Sequence, residues 1–204
     1  MSLFNCTIFT YATCNLNWRQ EIVIPTVERK QSVNRGVSSV ISREDYSKIL
    51  EYCKENVSQS SYAVQLQDFL GIRIEEIARV KLDNVNLTNN TILIVGKGGR
   101  KIEKAIPEDK IALVKEIISM QYDDKRLFSV EGSSINKFLN RIEDKLGLER
   151  RSNHDIRRLI AQEKFDSLRD RGFAPKEAMA ETSKWLSHGE DRKNLLERSY
   201  IIIH

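Results

Sequence analysis

The sequence predicts a mostly α-helical domain with one small antiparallel β-sheet, an α+β fold, and three observations support this. Apolar residues recur with helical spacing along most of the chain after Ser42. One alternating segment, TILIV at 91–95, is followed by GKGGR and KIEKAIP, the pattern of a strand, a tight turn and a returning strand. The 204 residues are 40% apolar and 30% charged, a balance typical of a globular domain.

The organised part of the chain begins at about residue 42. Residues 1–41 show no clear periodicity and are predicted to be a linker or arm, the remnant of a preceding region. Residues 42–204 are predicted to form one domain. Its first helix begins at Ser42, with Asp45 placed for a capping box. Its apolar stripe consists of Tyr46, Ile49, Leu50 and Cys53.

The remaining elements follow in order. Helices are predicted over 59–70 and 74–82, a turn at Thr88-Asn89-Asn90, and then the hairpin. After Pro107 the pattern is helical, apart from a short strand at Leu127-Phe128. Four further helices are predicted. The first has an apolar stripe from Ile111 to Ile118, and the second is capped at Ser133 or Ser134 and ends at Gly147. The third is capped at Asn153 and ends near Arg171, and the fourth begins at Pro175 and ends near Ser187. A last helix is predicted over 191–203.

Composition excludes several classes of protein. No apolar run approaches the roughly 20 residues of a membrane helix, and the N-terminus lacks the pattern of a signal peptide. Cys6, Cys14 and Cys53 are odd in number and lack metal-type spacing, which favours reduced thiols in the cytoplasm. The net charge of +4 permits a polyanionic partner without requiring one.

Two arginine-containing patterns are candidates for anion binding. In NHDIRR, His154 and Arg157 are three residues apart at the start of a predicted helix, so both side chains share a face near the helix N-terminus. In FLGIRIEEI, Arg73 follows Gly71 and precedes Glu76 by one helical turn. Each pattern taken alone is also compatible with an ordinary surface pair.

Two further patterns lie in the hairpin and near the end of the chain. GKGGR places Lys97 between glycines, where a backbone can approach a polyanion or form a solvated turn. LSHG contains His188, and Tyr200 follows it on the next predicted helix.

Taken in order, GIRIEEI, the GKGGR hairpin, HDIR, LSHG and the late tyrosine resemble the signature of the catalytic domain of tyrosine recombinases, the phage integrase family of DNA breaking-rejoining enzymes. The resemblance covers about residues 42–204. It implies that the catalytic residues are Arg73, Lys97, His154, Arg157, His188 and Tyr200. It also implies site-specific recombination of double-stranded DNA by a tetramer of protomers, in integration or excision of a mobile element such as a prophage. The implied location is the cytoplasm, with the nucleoid.

The resemblance also implies a role for each residue. Tyr200 is the nucleophile that forms a 3′-phosphotyrosine and releases a 5′ hydroxyl. Arg73 and Arg157 bind the phosphate oxygens, Lys97 is the general acid, His154 accepts the proton of the tyrosine, and His188 hydrogen-bonds the phosphate. The phosphotyrosine conserves the energy of the broken bond, so no cofactor, ATP or metal is implied.

The sequence departs from the family pattern at several points. Ser187 replaces the usual glycine before the second histidine, Asn84 stands where an Asp is common, and the spacing from His188 to Tyr200 is longer than usual. Only IIIH follows Tyr200, and residues 1–41 are too few for the core-binding domain of this family. The chain is therefore expected to be the catalytic half of a longer integrase. Two alternatives remain open: DNA relaxation of the type IB topoisomerase kind, and a DNA-binding module without catalysis.

Overall fold

The computed structural model describes residues 40–120, 125–187, 196 and 199–202, except for the side chain of Lys97. Within these residues, the α-helices are α1 (Arg43–Glu55), α2 (Gln59–Leu70), α3 (Ile74–Ile77), α4 (Ile111–Ser119), α5 (Gly132–Lys145), α6 (Asn153–Asp170) and α7 (Pro175–Trp185). The strands are β1 (Val85–Asn86), β2 (Thr91–Val95) and β3 (Lys101–Ala105). Short 3₁₀ turns lie at Leu82–Asn84, Lys97–Gly99 and Glu108–Lys110. The mostly helical fold with a small antiparallel sheet is confirmed.

The first two helices follow the sequence pattern closely. The hydroxyl of Ser42 accepts a hydrogen bond from the backbone N–H of Asp45 at 3.0 Å and so caps α1. Tyr46, Ile49 and Cys53 are buried as the apolar stripe predicts. α2 spans the predicted residues and ends at Gly71, which adopts φ +62°.

The helix predicted over 74–82 is wrong beyond its first turn. α3 ends at Ile77, and the chain then extends toward residues 125–127. The N–H of Leu127 donates to the carbonyl of Val80, and the N–H of Leu82 donates to the carbonyl of Lys125. These non-local bonds satisfy backbone groups that a longer helix would have paired locally.

The predicted hairpin is confirmed. β2 pairs antiparallel with β3, and β1, which the sequence pattern did not predict, adds a third strand in the order β1-β2-β3. Ile92 and Ile94 of β2 are buried on the core face of the sheet. Ile92 lies opposite Lys104 of β3, so a buried lysine shares that apolar face.

Three predicted features in the second half differ from the structure. Leu127 and Phe128 are buried, but within the described residues they belong to no strand, and the neighbouring Arg126 forms an isolated bridge with Lys81. α5 is capped by Glu131 rather than by a serine. α6 is capped by Ser152, one residue before the predicted Asn153, because the Ser152 hydroxyl accepts from the N–H of Asp155.

Two hydrophobic clusters make up the core of the described residues. The larger one includes residues from α1 to α6 and the sheet. The smaller one consists of Ala161, Phe165, Leu168, Ala178, Met179, Leu186, Leu196, Tyr200 and Ile201. Helix α6 belongs to both clusters: Ile156, Leu159 and Ile160 pack in the first, and its later turns pack in the second.

Two predictions fall on residues outside this description. The predicted arm over 1–41 lies almost entirely outside it, as does most of the last helix predicted over 191–203. Among the helices that are described, none is long and apolar enough to cross a membrane.

Candidate active site

Arg157 is the most deeply buried charged group of the site, with 1% of its surface exposed. Its Nε donates to the carbonyl of Gly71 at 2.9 Å, and Nη2 donates to the carbonyl of Leu186. Nη1 donates to the hydroxyl of Tyr200 at 3.3 Å. These three acceptors give the guanidinium partners in a place where an unpartnered charge would be strongly unfavourable.

The turn before Arg73 requires glycine. At Gly71 the backbone has φ +62°, and a Cβ atom there would overlap the indole ring of Trp185. The chain can therefore leave α2, pass beneath the indole and present a carbonyl to Arg157. The same turn places Arg73 two residues later, at the cap of α3.

Arg73 is held in place by Glu76. The Glu76 carboxylate is buried and accepts from the backbone N–H of Arg73 at 2.9 Å and from its Nη1 at 3.2 Å. The Arg73 side chain remains 36% exposed. Its guanidinium is thus held in place while keeping access to a ligand.

His154 contacts the same tyrosine as Arg157. Its Nδ1 lies 3.4 Å from the hydroxyl oxygen of Tyr200, and the two rings meet edge to face with centroids 5.1 Å apart. Partial burial of the ring lowers the pKa of His154 below its usual 6.5, and the positive charges of Arg158 and Arg157 lower it further. At neutral pH the imidazole is therefore neutral and able to accept a proton.

The N-terminus of α6 is fixed by a complete capping box. Asp155 accepts from the N–H and the hydroxyl of Ser152, and its other oxygen accepts from Arg158 at 2.8 Å. The first turn of α6 therefore begins in a defined position. That turn presents His154, and the next presents Arg157, on the same side of the helix.

A pocket of about 260 Å³ lies between these elements, and it is lined by Gln67, Arg73, Ile74, Glu75, Asn136, Ser152, Asn153, His154 and Arg157. Two guanidinium groups and a helix N-terminus make it favourable for an anion. A phosphate group matches this set, because arginine forks fit its oxygens. Tyr200 lies behind the pocket lining, with 3% of its surface exposed.

The structure therefore brings together four of the six predicted residues: Arg73, His154, Arg157 and Tyr200. Lys97 lies in the 3₁₀ turn between β2 and β3, and its side chain is not among the parts of the chain that the structure describes. His188 also lies outside it, although the preceding Ser187 is described.

Three contributors to the site were not predicted. Gly71, Trp185 and Lys104 contact Arg157 or the segments that hold it. For Lys104 a signal was present in the sequence. In KIEKAIP it occupies the same alternating phase as Ile102 and Ile106, which is the phase of the buried face.

Comparison with known proteins relates the chain to one family. The sequence profile of the phage integrase family matches residues 39–165. A protein of Agathobacter rectalis described as a tyrosine recombinase is 28% identical over 86 residues, which are 42% of this chain and 28% of that protein. The chain thus spans less than a third of the length of this curated relative.

Solved structures show the same fold. A XerA recombinase matches with a TM-score of 0.61 at 18% identity, over 76% of this chain and 57% of that one. XerH bound to its difH substrate in a pre-cleavage complex matches with a TM-score of 0.60 at 20% identity, over 78% of this chain and 50% of that one. The catalytic core of lambda integrase matches with a TM-score of 0.55 at 16% identity, over 74% of this chain and 91% of that core.

The profile covers more than half of the chain and includes the Arg73 turn, the hairpin and the His154–Arg157 helix. The matched structures share the arrangement of helices and sheet that brings these elements together. The chain belongs to the phage integrase family.

Proposed function

We propose that residues 42–204 are the catalytic domain of a tyrosine site-specific recombinase that cleaves and rejoins double-stranded DNA. The observation that carries this proposal is the position of the Tyr200 hydroxyl, 3.3 Å from Nη1 of Arg157 and 3.4 Å from Nδ1 of His154. A phenol has a pKa near 10 and is a weak nucleophile until a base accepts its proton or a cation stabilises the phenolate. Here a neutral imidazole and a guanidinium contact the same oxygen.

The cleavage step follows from these contacts. The Tyr200 oxygen attacks the phosphorus and forms a 3′-phosphotyrosine bond, while its proton passes to His154. The bond from phosphorus to the 5′ oxygen breaks, and that oxygen takes a proton from Lys97 and leaves as a hydroxyl. Arg73 and Arg157 stabilise the charge that builds on the non-bridging oxygens. The reverse sequence joins a new 5′ hydroxyl, so the balanced reaction needs no cofactor.

Tyr200 must move for this attack to occur. Its side chain is almost fully buried and does not line the pocket that suits the phosphate. The described part of its segment is held by Gln162, which exchanges hydrogen bonds with the backbone of Ile202 at 2.7 and 3.3 Å. In our proposal, DNA binding shifts this segment so that the phenol enters the pocket beside His154.

The biological partners are proposed from the same family relationship. Among the matched structures, lambda integrase is a tetramer bound to a Holliday junction, and XerH is bound to its DNA substrate. We propose that this chain likewise acts as a tetramer on duplex DNA, in integration or excision of a mobile element. Such an enzyme works in the cytoplasm, with the nucleoid.

A covalent-trapping experiment tests the nucleophile. The full chain is incubated with duplexes that tile the DNA flanking its coding sequence. Each duplex carries a nick, because loss of the short 5′ fragment after cleavage prevents religation and traps the adduct. The wild type should form adducts that survive denaturation. Tyr200→Phe should form none, since only the attacking hydroxyl is lost, while DNA binding persists. Tyr62→Phe is the matched control, because Tyr62 is also buried and its hydroxyl bonds Glu116 at 2.7 Å.

The site of attachment gives the decisive outcome. Mass spectrometry of the digested adduct should place the nucleotide on Tyr200, and attachment to any other residue would refute the assignment. Plasmid relaxation without strand exchange would instead support the topoisomerase alternative. DNA binding without any adduct on the tiled duplexes would support a non-catalytic module.

The proposed general acid is tested with a modified substrate. Lys97→Ala should slow cleavage by roughly 10²–10⁴-fold, the range for loss of a general acid. A substrate with sulfur at the bridging 5′ position leaves without protonation, so it should restore most of the rate. If the thiolate substrate is cleaved as slowly as the oxygen substrate, the proton comes from another group.

A further inference from the structure

Lys104 is a buried lysine that the proposed reaction does not use. It lies on β3 with 5% of its surface exposed, opposite Ile92 on the apolar face of the sheet. Lysine is almost never buried to this degree without a partner. Its position therefore requires an interaction that offsets the removal of the ammonium group from water.

The interaction is with the end of helix α7. Nζ of Lys104 donates to the backbone carbonyl of Trp185, the last residue of that helix, and lies 4.5 Å from the centroid of the Trp185 indole ring. Carbonyls at a helix C-terminus lack partners within the helix and carry partial negative charge, so they attract cations. The aromatic face adds a cation–π contact.

The next carbonyl along the chain is occupied by the catalytic arginine. Leu186, which follows Trp185, accepts from Nη2 of Arg157. Two cations from different elements, Lys104 of β3 and Arg157 of α6, thus bind consecutive carbonyls at one helix end. The C-terminal end of α7 is therefore bound by both β3 and α6.

A second connection runs through the indole ring. The Trp185 ring packs on Gly71, and the carbonyl of Gly71 accepts from Nε of Arg157 at 2.9 Å. Two of the contacts that orient the guanidinium are therefore with Leu186 and Gly71. Both neighbour Trp185, which Lys104 binds: Leu186 follows it in the chain, and Gly71 packs against its ring. A shift of Trp185 would alter both contacts.

We propose that Lys104 is a positioning residue for Arg157, acting through the end of α7 and the Trp185 ring. This inference rests on the proposed function for its catalytic consequence, but the geometric claim about Arg157 stands independently. Lys104 does not line the pocket that suits the phosphate, so it is not proposed to touch the DNA. Its loss should impair orientation of the guanidinium rather than binding of the duplex.

The contact should also depend on pH. Burial, together with the positive charges of Arg157 and Lys164, lowers the pKa of Lys104 from 10.5 to about 7, and the negative charge of Glu76 opposes this shift. An ammonium group binds a carbonyl more strongly than a neutral amine does. Lys104 should therefore hold the helix end most firmly below pH 7 and more weakly above it.

The test compares Lys104→Met with Lys176→Met, a control with the same substitution at an exposed position on α7. At saturating protein, Lys104→Met should lower the single-turnover rate of adduct formation by roughly 10- to 100-fold, the scale of effects from slight misplacement of a catalytic group. The loss should be larger at pH 6 than at pH 8.5, and affinity for the duplex should stay the same. Lys104→Arg, which keeps a cation, should recover part of the rate. A wild-type rate in Lys104→Met, or a loss confined to affinity, would overturn the proposal.

A second readout does not depend on catalysis. Hydrogen exchange of the Arg157 Nε–H, followed by NMR, should be faster in Lys104→Met than in the wild type and unchanged in Lys176→Met. Equal protection in all three proteins would refute the positioning role even if the chain proved to have no recombinase activity. If Lys104→Met fails to fold, Lys104→Gln, which retains a donor group, is measured in the same way against the same control.

Discussion

The guanidinium of Arg157 contacts the phenol of Tyr200: Nη1 donates to the hydroxyl oxygen at 3.3 Å, and Cζ lies 5.8 Å from the ring centroid. The same guanidinium lines the pocket that suits a phosphate. Arg157 therefore lies between the proposed nucleophile and the proposed electrophile. A cation in this position favours the phenolate as well as the transition state, so its effect on cleavage should exceed that of a phosphate contact alone.

The two arginines should differ in their effect on stability. Arg157→Met leaves the buried carbonyls of Gly71 and Leu186 without this donor, and each unsatisfied group costs about 1–3 kcal/mol, so the free energy of unfolding should fall by about 2–6 kcal/mol. Arg73→Met removes a partly exposed ion pair and leaves Glu76 bonded to a backbone N–H, so the loss should be near 1 kcal/mol. Urea unfolding measures both, and adduct formation should be lost in both. Equal losses of stability in the two variants would contradict the expectation that the buried arginine contributes more than the partly exposed one.

The pH dependence of cleavage should report on His154. Because its pKa lies below 6.5, cleavage at subsaturating protein should rise with pH through the acidic range and reach a plateau before neutrality, below the pH at which the Lys104 contact weakens. His154→Gln should lower the plateau rate by roughly 10²–10⁴-fold and remove the rise of the rate in the acidic range, since glutamine does not titrate. Rates are measured from pH 5 to 8 on the nicked duplex. If the rate of His154→Gln still rises with pH in the acidic range, the proton transfer belongs to another group.

Ser187→Gly should stabilise the protein. Ser187 has φ +66°, a conformation that is unfavourable by roughly 1–2 kcal/mol for most residues with a side chain and freely accessible to glycine. Its hydroxyl is buried and, as far as the described residues show, makes no hydrogen bond. We expect a gain of about 1 kcal/mol in urea unfolding. Asn90→Gly is the control: Asn90 has φ +52°, but asparagine tolerates this region, so its gain should be smaller.

Stability should fall as pH rises through neutrality because of Glu143. Burial raises the pKa of Glu143 from 4.5 to about 7, although the backbone N–H of Arg151 donates to its carboxylate. A carboxyl whose pKa is raised by folding contributes fully below pH 4.5, and this contribution is lost as pH increases through 7. Glu143→Gln should therefore reduce the decline in melting temperature between pH 5 and 8. The exposed Glu108→Gln should leave the decline unchanged, and an identical decline in all three proteins would contradict the assignment.

Local patterns predicted most of the elements and the site, and non-local contacts account for most of the errors. The hairpin and α1 depend on alternation and on a cap, both readable within a few residues. The end of α3 at Ile77 depends on backbone bonds to residues 125–127, which no local pattern contains. Motif order predicted Arg73, His154, Arg157 and Tyr200 as site residues, and the structure places these four close together.

The supporting contacts of the site were less readable. The burial of Lys104 follows from its phase on β3, but its partner is the carbonyl of Trp185, and a backbone group carries no signature in a sequence. The clash that makes glycine necessary at Gly71 likewise depends on a ring more than a hundred residues away. Such contacts appear only when the elements are assembled.

The division of the core into two clusters has a consequence for how the nucleophile is released. Tyr200 packs with Leu196 and Ile201 in the smaller cluster, whereas the Arg73 turn belongs to the larger one. Local opening of a small cooperative unit requires less free energy than global unfolding. The part of the smaller cluster around Tyr200 can therefore open and expose the phenol, while Leu186 and the larger cluster keep the phosphate pocket intact. Amide exchange at Tyr200 and Ile201, whose N–H groups donate to the carbonyl of Leu196, should then be faster than in α2. The free energy of that opening would set the fraction of molecules ready to cleave DNA.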